Sequence, residues 1–225
     1  MLAVGRDGPN VNKKLMKLLT KKYNTKEAEK ELHLLLDYGS CVLHTGHNSV
    51  KEGLKANPIK VSELAKCVHG FFKYSTLRRA DFAKELIDLE LAETVFIRHV
   101  DTRWLTLQPA LERIDKNYEA ITHYFLVTLP SQTTEGDVNE RQNAKNAMKA
   151  KYYQLVKEKL EKPDCLYMIR STIFMCQKFS PFMHKLQSAG PQIPDLYMDS
   201  TNLLLSVLSC FLKPKALPVG SRQTD

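Results

Sequence analysis

The chain has 225 residues, 43% of them hydrophobic and 26% charged, with only nine Gly and ten Pro. That is the composition of a folded chain with room for one large domain or two small ones, and it excludes a low-complexity or collagen-like polymer. Lys and Arg outnumber Asp and Glu by 33 to 25, giving a formal charge of +8 and an isoelectric point near 9.1, which favours an anionic partner, most simply nucleic acid, or else reads as a soluble domain with many Lys on its helices.

The chain opens on a short apolar run, Met1 to Gly5, followed by the turn Arg6-Asp7-Gly8-Pro9-Asn10. A basic helix is expected to start there, since Pro suits a first helical turn. Val11, Leu15, Leu18 and Leu19 give it one apolar face, and Lys13, Lys14, Lys17, Lys21 and Lys22 give it a cationic one. The leading strand has no evident partner in the sequence. Thr25 to Glu31 is charged and reads as a loop or a helical turn. Leu32 to Leu36 reads as extended. Cys41-Val42-Leu43 reads as the better strand, with Gly39 before it and a β-branched centre. A helix then runs from Thr45 or His47 to Lys55, with Val50 and Leu54 inward.

From residue 60 onward the pattern is helical. Val61 opens a segment with Leu64, Val68, Phe71 and Phe72 on one face. Ser75 is placed to cap a helix carrying Leu77, Phe82, Leu86 and Leu89. Val95-Phe96-Ile97 reads as extended and leads to Asp101-Thr102-Arg103-Trp104. Trp104, Leu107, Leu111, Ile114, Tyr118, Ile121 and Phe125 then alternate spacings of three and four, with Pro109 implying a kink or a late start. Leu129-Pro130 ends that helix and Ser131 to Asp137 is a polar loop. A long Lys-rich helix is expected from Val138 to Lys162 on a thin stripe of Ala144, Met148, Tyr152, Leu155 and Leu160. Helices follow at Cys165 to Leu186, with Pro181 inside, and at Asp195 to Leu212. The tail from Lys213 to Asp225 reads as disordered.

Chemistry is sparse. The five Cys are far apart and sit among apolar neighbours, the usage of a reducing compartment. No run reaches the roughly 18 apolar residues of a membrane span. Neither a signal peptide nor a small-molecule site is evident. Cys41 and His44 have a C-x-x-H spacing, but a structural zinc needs four ligands and no second half-site is visible. Core packing is the better reading, and no metal site is assigned. Asp7 is placed as a strand-end carboxylate suited to a divalent ion, or as a plain helix cap. Arg103 and Trp104 pair a phosphate contact with a stacking surface, or else Trp104 simply opens the apolar stripe.

The ordered set Arg6-Asp7-Gly8-Pro9-Asn10-Val11-Asn12, Cys41-Val42-Leu43-His44-Thr45-Gly46-His47-Asn48 and Asp101-Thr102-Arg103-Trp104 resembles the hAT-superfamily DNA transposases and the host proteins derived from them. The resemblance implies a mainly α chain with a small β component: a partial RNase H-like α/β core over residues 1–58, an all-helical insertion-like region over 59–212 and the tail beyond. Asp7 resembles the family's second catalytic carboxylate, Cys41 and His44 its C-x-x-H motif, and Arg103 with Trp104 the pair near the start of the insertion that handles transposon-end DNA. The first catalytic Asp would lie on an earlier strand, and no catalytic Glu is matched. Cleavage needs three converging carboxylates with Mg²⁺, so the expectation is an inactive, nuclear or cytoplasmic DNA binder without a cofactor, contacting DNA through Lys13, Lys14, Lys17, Arg103 and Trp104. Protein partners or self-association are open, and two alternatives stand beside this reading. One is a helical protein-interaction module. The other is a subunit of an active transposase, completed by another chain and then using Mg²⁺.

Overall fold

The computed structural model describes residues 2–6, 10–28, 35–40, 42–92, 94–101, 104–187 and 195–217, and the chain divides into two compact units, residues 1–52 and 53–225. The division falls six residues before the boundary expected from the sequence. Each unit has its own logic.

The first unit alternates strand and helix: β1 (Leu2–Arg6), α1 (Asn10–Ala28), β2 (Leu35–Ser40) and α2 (Val42–Lys55). The strand that lacked a partner in sequence has one. β1 pairs in parallel with β2, Leu2 opposite Leu35 and Val4 opposite Asp37, with the register slipping between Val4 and Arg6. Parallel neighbours need a crossover of a dozen or more residues, and α1 supplies it. This helix extends through Thr25 and stops only at Ala28.

Two expectations here are corrected. The strand expected at Cys41-Val42-Leu43 lies earlier, at Leu35–Ser40, and Val42 already begins α2. Val42, Gly46, Val50 and Leu54 recur every four residues, a helical period that outweighs the β preference of one Val. The second correction concerns α1. Leu15, Leu18 and Leu19 are exposed, and Met16 is the buried residue of that stretch. A sheet of two strands offers a narrow platform, so a 19-residue helix over it leaves apolar residues facing solvent.

The second unit is helical and built around α3 (Val61–Lys73). This helix packs against α4 (Thr76–Asp88), α5 (Leu107–Lys116), α9 (Lys151–Leu160) and α10 (Cys165–Leu186). Leu64, Val68 and Phe71 are fully buried along it. Phe71 lies edge-on to Phe72 at 5.1 Å, tilted against Phe125 at 4.8 Å, and under the Arg78 guanidinium at 4.4 Å. Phe125 stacks on Tyr153 at 5.7 Å, and the Tyr153 hydroxyl donates to the Phe125 carbonyl. Aromatic pairs at these separations add about 0.5–1.5 kcal/mol each beyond their buried area.

Local signals set the helix ends. The Ser75 hydroxyl accepts from the Arg78 amide and caps α4 as expected. Pro109 falls in the first turn of α5, after a 3₁₀ turn at Trp104–Thr106, so the late start is what occurs. Asn117, buried, breaks the stripe between α5 and α6 (Tyr118–His123) and donates to the Arg113 carbonyl. After α6 the chain forms a π-turn at Tyr124–Thr128, through which both Tyr124 and Phe125 are fully buried, and then α7 (Leu129–Ser131). Gly136, at φ 89°, turns the chain into α8 (Val138–Lys149), where Asp137 and Glu140 form a capping box.

The single helix expected from Val138 to Lys162 is two. Ala150 is extended at ψ 135° and separates α8 from α9. The break rotates the buried stripe, so Tyr153, Val156 and Leu160 face the core, while Tyr152 is exposed and Met148 and Leu155 are half-buried. Leu77, expected inward on α4, is exposed as well.

The expected bounds of α10 hold, and α11 (Leu196–Leu208) ends four residues short of the expected Leu212. Of the tail, residues 213–217 are described and include a 3₁₀ turn at Pro214–Ala216. Cys67, Cys165 and Cys176 are buried and free, with burial pushing each thiol up, Cys176 to about 12. No helix among the described residues is long and apolar enough to cross a membrane.

Candidate nucleic-acid interface

In the first unit the cationic surface is α1. Lys13, Lys14 and Lys17 are exposed on it, with Lys22 further along. Lys13 and Lys17 are one turn apart, and Lys14 and Lys17 three residues apart, so the three form one patch about 6 Å long. Asp7, which follows β1 in sequence, and Cys41, which precedes α2, lie outside the described residues. His44 is exposed in the first turn of α2. Its exposed place on a helix, one turn from His47, differs from the core packing expected of it. His47 is half-buried, and burial, with Lys51 and His44 nearby, holds its imidazole below the usual range.

In the second unit the Trp104 backbone opens the 3₁₀ turn ahead of α5; its side chain and all of Arg103 lie outside the described residues. What is described is the device that holds this turn. The Thr106 hydroxyl accepts from the Val100 amide at 3.1 Å and meets His99 Nδ1 at 2.9 Å. His99 Nε2 meets Ser62 Oγ at 3.0 Å, and the Ser62 hydroxyl donates to Asp101 at 3.1 Å. Lys66 closes the chain on the other Asp101 oxygen at 2.8 Å. One proton arrangement satisfies every link: Thr106 donates to Nδ1, and a neutral imidazole donates from Nε2 to Ser62.

Ser, His and Asp are thus together without forming a nucleophilic triad. Ser62 gives its proton to Asp101 rather than to His99, and Nδ1 faces Thr106 rather than a carboxylate. The cluster is a clamp that fixes His99, Asp101 and Thr106 onto α3. Sequence reasoning missed Ser62, Lys66, His99 and Thr106, because partners 37 residues apart leave no periodic trace. The one available signal was a His and an Asp flanking the start of the Asp101-to-Trp104 motif.

Burial holds the His99 imidazole below its usual 6.5, against the pull of Asp101. A base that is harder to protonate folded than unfolded contributes stability above about 6.5 and loses it as pH falls from there towards the folded value. Asp101 is held low chiefly by Lys66, so its contribution is lost only below about 3.8. The expected result is that wild type loses more stability between pH 7 and pH 5 than His99→Asn does. Equal losses, measured as thermal midpoints, would show that the clamp does not carry the titration. The comparison is needed because His47 and His69 shift in the same direction.

A second polar cluster joins α4 to the π-turn. The buried Glu85 carboxylate accepts from the His123 ring at Nδ1 and from the Thr128 hydroxyl, the latter at 2.6 Å. Among the described residues no group of three His, Cys, Asp or Glu side chains is placed to hold a metal ion. Comparison of the chain with known family models, curated proteins and solved structures returns no match.

Proposed function

We propose that this chain derives from a hAT-superfamily transposase and binds DNA in the nucleus without cleaving it. On this reading β1, α1, β2 and α2 are part of an RNase H-like core, and the helical unit is the family's insertion. Asp7 would be a vestigial second carboxylate, and Trp104 with Arg103 the element that handles a DNA end. The observation that carries the DNA-binding part is the exposed Lys13, Lys14 and Lys17 patch on α1. The parallel β–α–β pairing adjacent in sequence to Asp7, and the clamped turn leading to Trp104, support the order of parts.

The test is a duplex-DNA titration across salt concentrations. Each phosphate neutralised contributes a slope of about −0.9 in log K against log salt. Changing Lys13, Lys14 and Lys17 together to Ala should flatten the slope by about 2–3 and weaken binding at low salt. Trp104→Ala should cost about 1–3 kcal/mol on DNA with an unpaired end. Absence of salt-dependent binding by the intact chain would sink the reading. Mg²⁺-dependent strand transfer that disappears in Asp7→Ala would instead favour a subunit of an active transposase.

A further inference from the structure

Two cavities flank α4, and their charges differ. One, of about 330 Å³, has Arg78 and Lys84 balanced by Asp81, Glu135 and Glu140. The other is a groove of about 350 Å³ between α3, α4 and the segment 94–96, and no carboxylate lines it among the described residues. Its polar rim is cationic: Lys73 at the end of α3 and Arg79 on α4, with His69 one turn before Lys73. Neither Lys73 nor Arg79 has an ion-pair partner among the described residues, whereas Lys84, on the other side of α4, pairs with Asp81.

The groove exists because its walls are small where they meet solvent. Ala80 and Ala83, three residues apart on α4, leave the space open, and Val95 stands opposite, 73% exposed. Beneath them Phe72, Phe82 and Phe96 form a floor with ring centres 5.0–5.5 Å apart. The three rings are only 3–8% exposed, their faces taken up by one another. None of these three rings leaves an open face on which a base could stack, which argues against a nucleic-acid occupant of the slot. An apolar slot whose described rim is cationic suits a protein segment that brings apolar anchors and the opposite charge.

We propose that this groove docks an acidic amphipathic segment of another protein. Its apolar side chains seat between Ala80, Ala83 and Val95, and its carboxylates meet Lys73 and Arg79. The interaction is separate from the lysines of α1.

The test uses the full chain and three labelled probes, read by fluorescence anisotropy. The first is a peptide with Leu and Phe anchors one helical turn apart and Asp or Glu at its other positions. The second keeps the anchors and replaces every acid with Lys, and the third is a single-stranded oligonucleotide. The acidic peptide should bind, more weakly as salt rises, and at least about tenfold more tightly than its Lys counterpart, about 1.4 kcal/mol. Ala83→Phe, which fills the slot, should weaken it by about tenfold or more, and so should Lys73→Glu with Arg79→Glu. Val95→Glu, at an exposed position, provides the same test if Ala83→Phe disturbs α4. Changing Lys13, Lys14 and Lys17 to Ala should leave peptide binding intact. The proposal is overturned by no binding of the acidic peptide, by equal binding of the Lys peptide, or by insensitivity to Val95→Glu. It is equally overturned if the oligonucleotide competes for the slot and loses affinity in the same variants.

Discussion

Truncating Phe71 to Ala is expected to cost about 3–5 kcal/mol of folding stability, the range for a fully enclosed aromatic side chain. Phe71 has no exposed surface, and its ring is shared by Phe72, Phe125, Tyr124 and Tyr153, contributed by three separate stretches of chain. Removing it opens a cavity that rigid neighbouring rings cannot collapse into. It also takes away the surface under the Arg78 guanidinium, which donates to the Phe71 carbonyl at 3.0 Å. Phe174 on α10 is the control, since the same residue type there is 46% exposed and its truncation should cost well under 1 kcal/mol. Urea midpoints at unchanged slope give the comparison. A cost for Phe71→Ala similar to that for Phe174→Ala would mean the aromatic cluster is not the mechanical centre of the unit.

Glu85→Ala should be nearly as damaging, at about 2–4 kcal/mol. The carboxylate is 5% exposed and is the shared acceptor for His123 and Thr128. Hydrogen bonds to a charged group contribute about 1.5–3 kcal/mol, and donors left without a partner add a desolvation cost. The expected order is Glu85→Ala worst, Glu85→Gln milder because an amide still accepts from Thr128, and His123→Ala mildest. The last follows from the His123 side chain being 52% exposed, where water replaces the lost bond. Denaturant unfolding of the three variants checks the order. If His123→Ala proved the worst, the weight of the cluster would rest on the ring and not on the buried carboxylate.

The helical unit was largely legible because its signals are local. Ser75 before an apolar period, Pro163 after one, and the run from Cys165 to Leu186 each specify a boundary within a few residues, and the structure places them there. The failures have a common cause in longer-range or silent features. Ala150 breaks a Lys-rich helix although Ala is the strongest helix former, so nothing nearby announced that Tyr153 rather than Tyr152 would be buried. β1 needed a partner more than 30 residues away, and the strand that pairs with it ends before Cys41. The clamp at His99 draws on α3 and on both sides of the Trp104 turn. Its members look like ordinary surface residues until the fold brings them together. The lysines of α1 were legible as a charged face, but the exposure of Leu15, Leu18 and Leu19 depends on how little sheet lies beneath them.

The π-turn at Tyr124–Thr128 bears on descent as well as on packing. A π-turn holds one residue more than the α-helix it interrupts, so in evolutionary terms it reads as a single-residue insertion accepted inside a helix. Tyr124 and Phe125 lie within it, and both reach the interior. A relative that never acquired the insertion would keep the stripe from Leu107 to Ile121 and turn the residues beyond it by about 100°. Aligned without a gap, its downstream helix would fall one position out of phase with this chain. A shared ancestry could then be hidden by one residue at the centre of the fold.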